Sequence, residues 1–130
     1  MSMVLERNKV KNSDVRQFDI WLANLGEGKG SVQRGIRPVL VISNDRSNKY
    51  APIAMVSPIT SSSTKTKLPT HVNMNANEIG FHRDSVVLFE QHITIDKSQL
   101  IHKIIDMPKA YELHFEKALS VSTSRVFSRN

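Results

Sequence analysis

The sequence contains no cysteine, which excludes disulfide bonds, thiolate metal sites and cysteine nucleophiles. It also has no apolar run of about 18 residues or more and no signal-peptide core, so nothing predicts a membrane span or export. The expected compartment is therefore the cytoplasm. The glycines at 26, 28 and 30 precede a predicted strand rather than a helix, so they do not form a phosphate-binding loop.

Metal-binding patterns are missing as well. The carboxylates are scattered and form no acidic cluster of the kind that holds Mg²⁺. The five histidines include no HxxxH pair, and because their spacing says nothing more, each is interpreted as structural or solvated. Hydroxyl groups and cations are left as the working groups that the chain can offer.

A chain of 130 residues fits a single domain, and 39% hydrophobic with 23% charged residues is typical of a globular protein. The net charge is +6 and the sequence pI is about 9.8. This excess favours a polyanionic partner, either nucleic acid or a markedly acidic protein, and charge alone does not separate the two.

Several short segments rich in β-formers, separated by frequent turns, predict a small antiparallel barrel or sandwich. The predicted strands span residues 18–25, 37–43, 53–56, 70–74, 85–95 and 100–105. Residues 44–48 have turn chemistry that allows one helical turn. The expected organisation is a flexible basic extension at 1–16, one folded domain at 17–121 and a polar tail at 122–130.

One convincing helix is predicted near the C-terminus. Tyr111, Phe115, Ala118 and Leu119 lie at i, i+4, i+7 and i+8, which makes a single apolar face. Asp106 is the expected N-cap, with a proline tolerated just inside the first turn. We expect this helix to dock on the sheet.

Arg37 stands where a polar, glycine-bounded loop at residues 30–35 turns into an apolar strand. Pro38 lacks an N–H and keeps its predecessor extended, so the direction of Arg37 should be fixed. This pattern alone also fits an ordinary solvated arginine. Thr60 ends a later strand, and a guanidinium and a hydroxyl that converge on a phosphodiester would stabilise its charge during cleavage.

Five motifs, in this order and spacing, resemble the MazF/PemK toxins of bacterial toxin–antitoxin systems. They are GSVQRGIRPVLVISND from Gly30, SPIT ending at Thr60, KLPTHV from Lys67, GFHRDSVVLFEQ from Gly80 and TIDKSQL from Thr94. The resemblance covers about residues 17 to 119. It implies a mainly β fold, a compact antiparallel β-barrel with a C-terminal helix.

The same resemblance implies a homodimeric endoribonuclease that needs no metal or other cofactor. Such enzymes cut single-stranded RNA at a short sequence and leave a 2′,3′-cyclic phosphate and a 5′-hydroxyl. It also implies an antitoxin partner with an acidic, disordered C-terminal segment.

Matched residue by residue, the resemblance implies that Arg37 and Thr60 are the catalytic pair. A guanidinium is a poor general base at neutral pH, so charge stabilisation is the physically safer role for Arg37. The positions that match the family's RNA groove are Gln33, Asn44, Lys67, Leu68 and Gln91.

The chain departs from the family pattern at four places. Val32 replaces an acidic residue common in the loop, and Ile93 replaces an arginine common after the EQ pair. Phe18 stands where a glycine usually precedes the first-strand aspartate, and the usual small-residue end of the last helix is absent. The changes at 32 and 93 bear on which RNA sequence is cut and how fast.

Two alternatives to an endoribonuclease toxin stay open. A similarly folded CcdB-like toxin would inhibit a protein target such as gyrase and yield no RNA products. A non-catalytic RNA-binding barrel would bind with a log K against log salt slope of about −0.7 per phosphate contacted and would not cleave.

Overall fold

The computed structural model describes residues 14–30, 32–61 and 68–124 of the 130-residue chain. In this part of the chain the strands are β1 (Asp19–Asn24), β2 (Ile36–Val41), β3 (Ile53–Ser61), β4 (His71–Met74), β5 (Ser85–Leu88), β6 (Ile93–Asp96) and β7 (Leu100–Asp106). The helices are α1 (Asp45–Tyr50), α2 (Ala76–Ile79) and α3 (Glu112–Thr123). Short 3-10 turns occur at Phe89–Gln91, Lys97–Gln99 and Lys109–Tyr111.

The strands form one antiparallel sheet in the order β4-β5-β3-β2-β1-β7, and β6 also pairs with β3. The predicted class, mainly β and antiparallel with a C-terminal helix, is confirmed. In the described residues, strand pairing does not close the sheet into a complete ring, because β4 and β7 are its two edges.

Strand β3 pairs with two strands, β5 and β6, along the same side. Its residues Ile53 to Val56 pair with β6, and Ile59 to Ser61 pair with β5. On β3, Val56 lies three positions before Ile59. Their partners on β6 and β5, Ile93 and Val87, lie six positions apart, so the segment that joins β5 to β6 contains three extra residues. These are the turn Phe89–Gln91, and the prediction of one unbroken strand over 85–95 was therefore wrong.

The sequence pattern does not reveal this turn, because its first residue, Phe89, continues the apolar run of β5. Phe89 is fully buried, whereas Glu90 is exposed and Gln91 is half-buried. The ring of Phe89 thus anchors the turn in the core, while the polar side chains of Glu90 and Gln91 project out of the sheet.

Alternate residues of the strands enter two cores on opposite faces of the sheet, as the strand period of two requires. Leu40 packs in the core under α3, while its neighbours Val39 and Val41 pack in the other. The core under α3 contains Phe18, Ile20, Leu40, Ile42, Ile59, Val72, Met74, Ile79, Val87, Phe89, Tyr111, Phe115 and Ala118. The second core contains Val15, Trp21, Ala23, Val39, Val41, Val56, Ile95 and Leu100.

The C-terminal helix is confirmed, but its predicted N-cap was wrong. Asp106 is the last residue of β7 and pairs with Asp19 in the β1 ladder. Its carboxylate forms an ion pair with Lys103, so it stabilises the strand end instead. α3 begins at Glu112, and its N-cap, Tyr111, makes no side-chain capping bond.

Two short helices follow capping rules. α1 realises the helical turn expected after β2. α2 was not predicted, although Asn75 accepts a hydrogen bond from Asn77 N at 2.9 Å and Gly80 ends the helix in the left-handed region (φ 73°). Asparagine before and glycine after a helix are ordinary start and stop signals.

The domain boundaries stay predictions. Of the predicted extension, residues 1–13 lie outside the described residues, and Val15 is buried in the second core. Of the predicted tail, residues 125–130 also lie outside the described residues, while α3 extends through Thr123.

Phe18 has a left-handed backbone. Among the described residues it is the only non-glycine residue with a positive φ, 68°. Its N–H donates to Val41 O at 2.7 Å, and its ring lies 5.2 Å from that of Phe115. Such a backbone costs about 1–3 kcal/mol and persists only when surrounding contacts hold it.

Asp19 gives the fold a pH dependence. Burial, and then a hydrogen bond with Asp106, raises the pKa of Asp19 to about 6, although Lys103 opposes the shift. Because this folded-state pKa lies above the unfolded value, the contribution of Asp19 to stability is present below about pH 4 and is lost as pH rises through 6. From pH 4 to 7.5 we expect Asp19→Asn to gain about 1–3 kcal/mol in unfolding free energy relative to wild type.

Urea denaturation at the two pH values measures this change. Asp14→Asn, which alters an exposed aspartate nearby, is the control and should show no such gain. A difference between Asp19→Asn and wild type that does not vary with pH would contradict the assignment.

Candidate active site

Arg37 is the second residue of β2, opposite Ala23 of β1. Its Nε donates to Arg34 O at 2.9 Å, and one terminal nitrogen donates to Gln33 Oε1. Partial burial lowers the pKa of Arg37, but a guanidinium remains protonated in proteins. The structure therefore holds a partly desolvated cation in one direction at the start of a core strand.

The loop that precedes Arg37 is tied down at several points. Gly35 N donates to Gly26 O at 2.8 Å, and Leu25 N donates to Gly35 O at 2.9 Å, so the β1–β2 ladder continues into the loop. Farther out, Gln33 N donates to Gln91 Oε1 at 2.9 Å. The loop is thus connected to the turn Phe89–Gln91.

Arg37, Gln33 and Gln91 consequently form one hydrogen-bonded chain. Gln33 is its centre, because its backbone binds Gln91 and its side chain binds Arg37. Three of the residues matched to the site are brought together, although they lie up to 58 positions apart in the sequence.

Thr60 lies on β3, the strand next to β2. The β2–β3 register pairs Val39 with Pro58, and continuing it by two residues on each strand brings Arg37 opposite Thr60. Side chains at opposite positions of antiparallel strands have Cβ atoms about 4.5–5.5 Å apart. On its other side, Thr60 pairs with Val86 of β5.

A second polar cluster, which the sequence did not reveal, includes Glu90, the residue that precedes Gln91. Thr70 Oγ1 donates to Glu90 Oε1 at 2.9 Å, and His71 Nε2 lies 2.9 Å from Glu90 Oε2. The His71 side chain is only 6% exposed. The contact with Glu90 could not be inferred from the sequence, because 19 residues separate the two side chains.

The remaining matched residues are less concentrated. Leu68 is 45% exposed and its N–H lies 3.4 Å from His71 Nδ1. Lys67 lies outside the described residues. Asn44 caps α1 by accepting from Ser47 N at 2.9 Å. It follows the far end of β2, roughly 20 Å from Arg37 along the strand, so the structure does not bring it to Arg37.

Two residues near the site, Val32 and Ile93, depart from the family pattern. Val32 is 50% exposed in the loop. Ile93 opens β6, is half-buried and pairs with Val56. Within residues 14–30, 32–61 and 68–124, no group of three or more His, Asp or Glu side chains is placed to hold a metal ion. No helix in these ranges is long and apolar enough to cross a membrane.

Residues 16–123 match the model of a family described as the PemK-like, MazF-like toxin of type II toxin–antitoxin systems. The chain is 44% identical over 112 residues to endoribonuclease EndoA of Bacillus subtilis, covering 86% of this chain and 97% of that protein. It is 39% identical over 108 residues to endoribonuclease MazF of Staphylococcus epidermidis, covering 83% and 90%.

Solved structures share the fold. A mycobacterial endoribonuclease in complex with its cognate antitoxin superposes with a TM-score of 0.70 at 19% identity, covering 85% of this chain and 96% of that one. The Mycobacterium tuberculosis toxin MazF-mt6 superposes with a TM-score of 0.67 at 25% identity, covering 80% and 94%.

Proposed function

This chain belongs to the PemK-like, MazF-like toxin family and is an endoribonuclease of a type II toxin–antitoxin system, and from that premise we propose that it cuts single-stranded RNA by transphosphorylation. The family match confirms the resemblance carried by the motifs. In the proposed reaction the ribose 2′-oxygen bonds to the adjacent phosphorus and the bond from phosphorus to the 5′-oxygen breaks. A 2′,3′-cyclic phosphate and a 5′-hydroxyl result, and cleavage of mRNA stops translation and growth.

The observation that carries the proposal is the fixed cation at the start of β2. Arg37 is held by Gln33 and by the loop backbone, and the register of β2 and β3, if continued by two residues beyond Val39 and Pro58, would put Thr60 opposite Arg37. Arg37 would stabilise the charge that develops on a five-coordinate phosphorus, and Thr60 would donate to a non-bridging oxygen. Neither role needs proton abstraction by the guanidinium.

The matched groove residues supply contacts to RNA in this proposal. The amide groups of Gln33 and Gln91 can donate and accept at base edges, and the exposed side chain of Leu68 offers an apolar surface to a base. Lys67 would contribute a cation to the contacts with RNA, and Asn44 would contact the strand near the distant end of β2. Contacts at Val32 and Ile93 would make the cut sequence differ from that of relatives.

Partners follow from the family and the charge. We assign the chain a homodimeric state, a cytoplasmic location and an antitoxin whose acidic, disordered C-terminal segment covers the RNA groove. A net charge of +6 suits such a segment as well as RNA. The mycobacterial endoribonuclease solved with its cognate antitoxin supports the presence of an antitoxin partner.

Cleavage of total bacterial RNA in excess EDTA tests the proposal. We expect discrete fragments whose new 5′ ends accept phosphate directly from polynucleotide kinase, since they carry hydroxyls, and whose mapped ends share a short sequence. Abolition by EDTA or 5′-phosphate ends would contradict it. Binding without cleavage would indicate an RNA-binding barrel, and topoisomerase binding without RNA products would indicate a CcdB-like inhibitor.

A further inference from the structure

The carboxylate of Glu90 is held at both oxygens. Oε1 accepts from Thr70 Oγ1 and Oε2 lies against His71 Nε2, each at 2.9 Å. His71 Nδ1 accepts from Leu68 N at 3.4 Å, which leaves Nε2 as the ring nitrogen that donates to Glu90. We call Thr70, His71 and Glu90 the carboxylate clamp.

The clamp joins two separate parts of the chain. Thr70 and His71 stand at the start of β4, and Glu90 is the middle residue of the turn Phe89–Gln91. Phe89 N also donates to Thr70 O at 3.1 Å. The turn is therefore fixed by a buried ring, by one backbone bond and by a carboxylate with two donors.

Gln91 follows Glu90 directly and accepts from Gln33 N, while Gln33 Oε1 accepts from Arg37. A displacement of Glu90 would move the backbone of Gln91, and with it the acceptor that holds the loop. We propose that Glu90 is a positioning residue, which through the carboxylate clamp and Gln91 fixes the direction of the Arg37 guanidinium.

The inference rests on the proposed function, because the orientation of the Arg37 side chain affects catalysis only if RNA is cut beside Arg37. A purely structural role would instead lower stability and leave the arrangement of the surviving folded molecules intact. The Glu90 side chain is 32% exposed, but Glu90→Ala leaves the buried Nε2 of His71 without its partner, so the variant is compared with wild type at matched folded concentration after urea denaturation has shown that it folds.

The first measurement needs no RNA. We expect Glu90→Ala to raise the exchange rate of the Gln33 backbone amide at least about tenfold, since its acceptor becomes mobile. Glu116→Ala is the matched control, because it removes an exposed carboxylate from α3 and changes the net charge equally. An unchanged Gln33 exchange rate in Glu90→Ala would overturn the proposal.

The second measurement uses an RNA oligonucleotide that carries the mapped cleavage sequence. We expect Glu90→Ala to lower kcat about 10–100-fold with a much smaller change in KM, because a misdirected group fails mainly in the transition state. Glu90→Gln, which keeps an acceptor, should recover part of the loss. Glu116→Ala should cleave like wild type.

A double variant separates positioning from general damage. If Glu90 acts through Gln91, Glu90→Ala combined with Gln91→Ala should cleave within about threefold of Gln91→Ala alone. Losses that multiply, or normal cleavage by Glu90→Ala, would overturn the proposal. Failure of wild type to cleave RNA would overturn the proposed function and this inference with it, and would be seen before any variant is compared.

Discussion

We expect Arg37→Ala to cleave RNA about 10²–10³-fold more slowly than wild type at saturating substrate, the usual cost of removing one preorganised charge-stabilising group. Gln33 and Arg34 O already direct the guanidinium in the free protein, so little reorganisation is needed when the phosphorus becomes five-coordinate. Its partial burial strengthens the interaction, since fewer water molecules screen it.

Arg37→Lys separates charge from geometry. Lysine keeps the positive charge but loses the planar fork, and cannot bind both Gln33 and a phosphate oxygen in the same way. We expect it to recover only a small part of the rate. Fitted single-turnover rates on the mapped oligonucleotide, at matched folded concentration, give the comparison.

Arg46→Ala is the charge control, because Arg46 is exposed on α1 beyond the far end of β2. It removes one positive charge, as Arg37→Ala does, and should leave kcat unchanged. Near-normal cleavage by Arg37→Ala, or an equal loss in Arg46→Ala, would refute the assignment of Arg37 to the reaction.

The largest expected effect on stability is that of Phe115→Ala, about 3–5 kcal/mol. Phe115 is fully buried on α3, with ring centroids 5.2 Å from Phe18, 5.9 Å from Phe89 and 5.8 Å from Tyr111. Truncation would leave a cavity among three rings that cannot all collapse into it. Such a loss is a large part of the 5–15 kcal/mol of a typical domain.

Denaturant unfolding followed by the fluorescence of Trp21 measures this loss, because Trp21 is the only tryptophan and is 4% exposed. All variants should be compared at one protein concentration, since the proposed homodimer would make apparent stability depend on it. Leu113→Ala on the same helix is the control. Leu113 is 77% exposed, so its change should stay within about 0.5 kcal/mol. A loss below about 1 kcal/mol for Phe115→Ala would contradict the packing described.

Residue patterns predicted the strands and the last helix well, because alternation and helical period report burial directly. They failed where an unrelated part of the chain decides the local structure. Phe89 continues an apolar run, and only the register of β5 and β6 on β3 makes it begin a turn. Asp106 looks like a cap, but Lys103 and the β1 ladder retain it in β7.

For the site, Arg37 and Thr60 were selected by motif resemblance, and the strand register supports their proximity. The link from Arg37 through Gln33 to Gln91 could not be read from spacing, since it depends on where a loop meets a distant turn. The carboxylate clamp was missed for the same reason. Asn44 stays a predicted RNA contact, and the structure shows in addition that its side chain caps α1.

The left-handed backbone at Phe18 has a consequence for how the protein opens. Its φ of 68° is maintained by a ring that touches Phe115, so departure of α3 removes the contact that holds the strained segment. Release of the backbone strain at Phe18 then favours simultaneous unfolding of the start of β1. We therefore expect the C-terminal helix and the first strand, at opposite ends of the described chain, to exchange their amide hydrogens with solvent as one cooperative unit.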